Sequence, residues 1–261
     1  MRITPIPAFN DNYIWLLQEE APKASSAAQP CVVVDPGDAK PVLAYLQQHN
    51  LRLDAILITH HHWDHTGGVQ ELLQHYPCPV IGPASENIAS ISHTVREGEQ
   101  FTLFAGQVIV SVLECPGHTL DHIAFYSAPH LFCGDTLFAA GCGRMFEGEP
   151  KQFLHSLNKL AALPADTKVF CGHEYTQANL AFAHAVEPDN LAITERIKQV
   201  AAQRLQHQPS LPCELAEEHA TNPFLRAHLP SVMHAAEAKL GKPLTQASDV
   251  FAVLREWKNN F

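Results

Sequence analysis

Thr59-His60-His61-His62-Trp63-Asp64-His65 stands directly behind the apolar run Ala55-Ile56-Leu57-Ile58 and ahead of Thr66-Gly67-Gly68 and a helical pattern. The context is strand, then loop, then helix. A buried strand ends and presents potential metal ligands on irregular backbone. His60 and His62 lie two apart, so extended backbone points both to one side. Asp64 and His65 follow where the chain turns and can face a second point nearby. Imidazole nitrogens plus a carboxylate suit zinc, iron or manganese. The alternative is a solvated histidine-rich loop, and ligands elsewhere in the chain decide between the two.

Working outward, Tyr13 to Leu17 reads as an early strand and Ala21 to Pro30, small and polar, as a surface loop. Cys31-Val32-Val33-Val34 is continuous and β-branched, which predicts a strand buried on both faces. It ends in the turn signal Asp35-Pro36-Gly37. Pro41 to Gln48 and Val69 to His75 carry helical patterns, with a short strand at Pro79 to Gly82. From Phe101 to Phe132 the pattern is β. Phe101 to Phe104 and Val108 to Leu113 are separated by Ala105-Gly106, a hairpin signal. Ile123 to Tyr126 and His130 to Cys133 are separated by Ala128-Pro129. A helix is expected over Pro150 to Leu163 and a last strand over Lys168 to Cys171. After Glu174 only helices are expected: Ala178 to Ala185, Leu191 to Gln206, Ser231 to Leu240 and Ala247 to Lys258. The change near residue 174 marks a candidate boundary, giving a domain over 1–173 and a helical domain over 174–261.

Three further strands end in potential ligands. Val112 to Cys115 leads into Pro116-Gly117-His118-Thr119, Phe132 to Gly134 into Asp135-Thr136, and Val169 to Gly172 into His173-Glu174-Tyr175. Each is an apolar strand, a glycine, then His or Asp, and glycine lets backbone pass close to a site. One such residue alone would be an ordinary turn or cap. Together with the opening loop they make a ligand set: His60, His62, His65, His118 and His173, with Asp64 and Asp135. Seven ligands exceed one tetrahedral zinc and suit two ions sharing a carboxylate. A pair about 3.5–4 Å apart can hold a bridging hydroxide and polarise an ester-like carbonyl. Two-metal hydrolysis is therefore predicted from the residues alone.

Composition sets the limits. The 261 residues suffice for a substantial core, and 46% hydrophobic with 17% charged residues are globular values. The net charge of −10 disfavours a general nucleic-acid binder. No apolar run has the length of a membrane span, and no export signal follows Met1. The seven cysteines contain no CxxC pair and read as reduced thiols. A soluble, cytoplasmic, monomeric protein is expected.

The set THHHWDH, PGHT, GDTLF and GHEYT, in that order, resembles the metallo-β-lactamase superfamily and within it glyoxalase II (hydroxyacylglutathione hydrolase). The resemblance covers nearly the whole chain. It implies an α/β fold, a four-layer α/β/β/α sandwich with metals at one edge of the two sheets and a C-terminal helical domain. It places His60, His62 and His118 on one metal, Asp64, His65 and His173 on the other, and Asp135 between them, so that the hydroxide is held beside Asp64 and Asp135. His61, pointing away from its neighbours, is no ligand in that pattern. The ions would be zinc first, with iron or manganese as alternatives. The implied reaction is hydrolysis of S-D-lactoylglutathione to glutathione and D-lactate, the second step of methylglyoxal disposal. The leaving thiol, with a pKa near 8.5 for a cysteine-like group, needs no separate general acid.

The resemblance also implies glutathione contacts. Arg144 and Phe146 stand where the family commonly has lysine and tyrosine. Tyr175 matches directly, and Arg255 with Lys258 matches a terminal cationic pair for the glycine carboxylate. Asn222-Pro223-Phe224 reads as a break between helices, Cys133 as buried packing, and His49, His75, His155, His184, His207, His219, His228 and His234 as solvent-facing. Three rival functions remain. A glutathione persulfide dioxygenase would hold one iron and consume oxygen. A superfamily nuclease would want a basic arm. A metal-storage module would bind metal without turnover.

Overall fold

The structure, a computed structural model, describes residues 1–19 and 28–261. They fall into two compact units. The first comprises residues 1–114, 121–127 and 132–134, the second residues 115–120, 128–131 and 135–261.

The first unit begins with β1 (Arg2–Ala8) and β2 (Asn12–Gln18), an antiparallel hairpin in which Ala8 pairs with Asn12. Then come β3 (Gln29–Val34), α1 (Ala39–Gln48), β4 (Leu51–Leu57), the single turn α2 (Trp63–Thr66), α3 (Val69–His75), β5 (Val80–Gly82) and β6 (His93–Thr94). The strands form one sheet in the order β1-β2-β3-β4-β5-β6. β3 and β4 run parallel, as do β4 and β5, with α1 and α3 as the crossovers. The central strands β2, β3 and β4 are buried on both faces. Ile14, Leu16, Cys31, Val33, Ile56 and Ile58 pack with Val42 and Leu46 of α1 and Leu72 of α3. The alternate residues Trp15, Leu17, Val32, Val34 and Leu57 are equally buried on the opposite side. The unit is completed by β7 (Gln100–Leu103) and β8 (Val108–Glu114), paired through Leu103 and Val108, by β9 (Ile123–Ser127) and by residues 132–134 of β10 (His130–Gly134).

The second unit holds the short hairpin β11 (Leu137–Phe138) and β12 (Gly141–Cys142), α4 (Pro150–Ala161), β13 (Lys168–Cys171), α5 (Thr176–Val186), α6 (Leu191–Leu205), β14 (Cys213–Glu214), α7 (Leu215–Thr221), α8 (Pro230–Leu240) and α9 (Ala247–Asn259). Leu180 and Ala183 of α5 pack on Ile193 and Val200 of α6. Ring contacts run from Phe153 of α4 through Phe251 of α9 to Phe224, and from there to Phe182 of α5, with centroids 5.5 to 5.8 Å apart.

Several expectations need correction. Gln29 and Pro30 already belong to β3 rather than to a loop, and 21–27 of that expected loop lie outside the described residues. A strand does follow residue 174: Cys213 and Glu214 pair with Val169 and Lys168. Two residues carry no periodicity, which is why β14 is invisible in the sequence. β1 also escaped notice, because Pro5 and Pro7 argue against a strand. At the end of the sheet order, proline costs no ladder bond on the open side.

Candidate metal centre

β3 and β4 are parallel neighbours, with Val34 beside Leu57. Their carboxyl ends therefore release the chain at the same place, the position where open α/β sheets put their sites. Asp35 leaves β3 and Thr59 leaves β4. Asp35 takes a left-handed backbone, φ 52°, which Asp tolerates better than most residues. Its Oδ1 accepts from the Thr59 amide at 2.8 Å, and its Oδ2 from the Thr59 hydroxyl at 2.6 Å and from His65 Nδ1 at 3.0 Å.

These bonds fix two tautomers. A carboxylate only accepts, so His65 carries its proton on Nδ1 and keeps a lone pair on Nε2. The Thr59 hydroxyl spends its hydrogen on Asp35, so it accepts from His60 Nδ1, 3.0 Å away, and His60 Nε2 keeps its lone pair as well. His60 is completely buried and stacks on His122 at 4.7 Å. His62 ends the extended stretch and caps α2, which carries Asp64 and His65 on its single turn. His61 points away and bonds Asp121 at 3.0 Å. His60, His65 and Asp35 offer atoms within 4.8 Å of one another. Asp35 is nevertheless the outer partner, since its oxygens are already engaged by Thr59 and His65.

In the second unit, His118 comes from the loop after Pro116, Asp135 from the end of β10 and His173 from the end of β13. Asp135 Oδ2 lies 3.5 Å from His118 Nε2 and 3.2 Å from His173 Nε2, all three residues being buried. His118 Nδ1 donates to the Arg144 carbonyl at 2.7 Å, so its Nε2 lone pair faces the carboxylate oxygen. A cation between the ring nitrogen and the carboxylate oxygen would satisfy both. Gly143 makes this closeness possible: a Cβ there would stand 1.9 Å from the Asp135 carbonyl and 2.9 Å from His118 Nδ1.

The donor spacing fits metal binding. Two atoms bound at 2.0–2.1 Å to a tetrahedral ion sit about 3.3 Å apart. His60 Nε2 and His62 Nδ1 are 3.1 Å apart, and His65 Nε2 and Asp64 Oδ2 3.6 Å. With the 3.2 and 3.5 Å of the second unit, both ligand groups have the spacing of an ion's coordination shell. Of the sequence-predicted ligands, His60, His62, Asp64 and His65 thus come together in the first unit, and His118, Asp135 and His173 in the second.

Aromatic rings cover the second group. Tyr175 stacks on His173, centroids 4.7 Å apart and planes within 6°, and Phe146 sets its edge against His118 at 5.4 Å. Both keep an exposed face, 37% and 59%, and the Arg144 guanidinium lies over Phe146 at 5.5 Å. Arg255 of α9 is 94% buried, being 6% exposed, and donates through Nη1 to the Cys142 and Gly143 carbonyls. Lys258 is half-buried and donates to the Ala178 carbonyl. Burial first, and then the Arg255 charge, lower the Lys258 pKa. Two neighbouring cations of this kind are an electrostatic debt that an anion would settle.

Sequence reading missed how the helices hold the β11–β12 hairpin. Asn222 Nδ2 donates to the Phe138 and Gly141 carbonyls, Glu218 accepts from the Ala140 amide, and Asn179 donates to the Ala139 carbonyl. Asn222 was expected only to break the helices, and it does end α7. Cys133 is fully buried, and the eight histidines assigned to solvent are all exposed.

The metallo-beta-lactamase superfamily model matches residues 27–173, and the model described as hydroxyacylglutathione hydrolase C-terminus matches residues 174–261. The chain is 54% identical to the hydroxyacylglutathione hydrolase of Alkalilimnicola ehrlichii, over 98% of each chain. It is 51% identical to hydroxyacylglutathione hydrolase 2 of Vibrio vulnificus, over 100% of each. Among solved structures, ETHE1 from Myxococcus xanthus shares the fold, with TM-score 0.66, 24% identity and 99% and 98% coverage of the two chains. TTHA1623 in a di-iron-bound form gives TM-score 0.53 and 29% identity, over 65% of this chain and 91% of that one. The chain has the metallo-β-lactamase fold with a C-terminal helical domain, and it belongs to the hydroxyacylglutathione hydrolase family of that superfamily.

Proposed function

We propose that the protein is a thioesterase that hydrolyses S-(2-hydroxyacyl)glutathione, chiefly S-D-lactoylglutathione, to glutathione and the hydroxy acid in the cytoplasm. Full-length identity of about half to enzymes named for this reaction carries the reading. The ligand set supports its chemistry. His60, His62 and His118 would hold one divalent ion, Asp64, His65 and His173 a second, and Asp135 both. Zinc suits the nitrogen-rich set. Iron has a precedent in the di-iron-bound relative. When bound, such a pair supplies an acidified water and a Lewis acid for the thioester carbonyl.

The protein's own residues do the rest. Asp35 and Thr59 hold the proton off the ligating nitrogens of His60 and His65, so no ionisation has to precede binding. Asp64 and Asp135 would offset the positive charge of the bound ions and orient the acidified water. We assign residues 1–173 to the catalytic domain and 174–261 to substrate binding. Arg144, Phe146, Tyr175, Arg255 and Lys258 are the glutathione contacts. Phe146 offers a ring face without a hydroxyl, so this contact is one of packing rather than hydrogen bonding.

The test is a thioesterase assay with S-D-lactoylglutathione beside elemental analysis. Turnover with two ions per chain is the expected result. One iron per chain, with oxygen uptake on glutathione persulfide, would make the protein a dioxygenase instead. Metal without either activity would make it a storage module. Lys258→Ala should raise KM about tenfold with little change in kcat, as expected for lost uniform binding. Arg255→Ala should raise KM too, and it should also lower Tm, because the Cys142 and Gly143 carbonyls lose a buried donor. An unchanged KM in both variants would remove α9 from the glutathione site.

A further inference from the structure

The tip of the β1–β2 hairpin lies on the metal loop, and nothing in the ligand set explains why. Asn12, 7% exposed, is the first residue of β2. Its Nδ2 donates twice to one residue: to the Asp64 carboxylate Oδ2 at 3.1 Å and to the Asp64 carbonyl at 3.3 Å. The amide nitrogen has two hydrogens, so both bonds form without any change of protonation. Bonding the main chain and the side chain of the same residue closes a small ring, which fixes the Asp64 rotamer. The terminal torsion of an aspartate is otherwise broad. Asp64 needs such a restraint more than the other ligands do. It sits on a four-residue helix and its side chain is 24% exposed.

The hairpin is itself held in place. Phe9 adopts φ 51°, and its ring meets Trp63 edge-on at 5.0 Å. At Gly37 an added Cβ would stand 1.9 Å from the Asp64 carbonyl and 2.9 Å from Phe9 Cε2. The Asn12 amide and the Gly37 backbone therefore meet Asp64 from two segments of the first unit, with the Phe9 ring beside Gly37 and Trp63.

We infer that Asn12 is a positioning residue that orients the Asp64 carboxylate for the second divalent ion. The inference rests on the two-ion reading of the site. Asn12 touches no other ligand in these contacts, so its removal weakens one ion and spares the other.

The test is release of metal from the zinc-loaded protein to a chromophoric chelator, for wild type, Asn12→Leu and Asn12→Ala. Leucine keeps the volume and loses both donors, and alanine guards against a packing artefact. In both variants one of two ions should be released at about 10- to 100-fold lower chelator concentration, the usual effect of losing an outer-shell partner. The second ion should leave as in wild type, while the Tm of the metal-free protein should fall modestly in both variants, because the Asp64 carbonyl loses a donor. Release curves identical to wild type in both variants would overturn the assignment, and so would equal weakening of both ions. A wild type that binds a single ion would overturn the two-ion reading. The Asn12 assignment would then stand if that ion is weakened in the variants and fall if it is not.

Discussion

Asp135→Ala should abolish thioester hydrolysis, with turnover lower by on the order of a thousandfold or more, and the purified variant should hold fewer ions per chain. The side chain is buried, and one of its oxygens lies within 3.5 Å of the ring nitrogens of both His118 and His173. No other carboxylate was assigned to that group of ligands. Without it, the ion proposed for His60, His62 and His118 would have neutral ligands alone, and the other would keep Asp64 as its one carboxylate. Asp135→Asn separates charge from shape: the amide fits the same space but has lost the negative charge and one acceptor. It should retain fold and Tm while losing most of the turnover. The checks are kcat with S-D-lactoylglutathione and metal content by elemental analysis. Normal turnover in either variant would refute the shared-carboxylate assignment.

Asp35→Ala has the second largest effect, and on a different quantity. Three donors in a fully buried environment lose their acceptor at once: the Thr59 amide, the Thr59 hydroxyl and His65 Nδ1. Unsatisfied buried donors cost about 1–3 kcal/mol each, so the variant should be destabilised by at least about 3 kcal/mol. Alanine also tolerates the left-handed backbone at this position poorly. Asp35→Asn is the more informative change. Its oxygen can still serve the Thr59 amide, while its NH2 faces His65 and donates to Nδ1. The proton of His65 then moves to Nε2, the nitrogen needed for the metal. Metal affinity should drop about 10- to 100-fold with a much smaller loss of stability. Thermal melting of the metal-free protein and chelator competition measure the two effects separately. Equal metal affinity in Asp35→Asn and wild type would show that Asp35 does not set the tautomer.

The candidate ligands are legible because apolar strands lead into them, and pattern and residue type agree there. His60 and His62 are two apart on extended backbone, and Asp135 and His173 each follow a glycine at a strand end. What surrounds the ligands was not legible. Asp35 belongs to Asp35-Pro36-Gly37, a turn signal strong enough to account for an aspartate by itself. Its role appears only when parallel β3 and β4 end side by side. Asn12 and Asp64 are 52 residues apart, and no periodicity links them. The elements that escaped are β1, whose two prolines hide it, and those too short for a pattern, β6, β11, β12 and β14, each two residues long. The seven residues of α7 were missed as well. Long buried strands and amphipathic helices announce themselves; two-residue pairings are set by their tertiary surroundings.

The β11–β12 hairpin hangs from Asn179 of α5, Glu218 of α7, Asn222 just beyond it, and Arg255 of α9. Asp135 precedes this hairpin by two residues and Arg144 follows it by two. The helical part is consequently not an interchangeable module. A chimera that takes its helices from another family would have to import those four side chains as a set to keep the hairpin, and with it Asp135, in place. In the proposed site, substrate range and metal chemistry are tied together through the hydrogen bonds that Asn179, Glu218, Asn222 and Arg255 make to this hairpin.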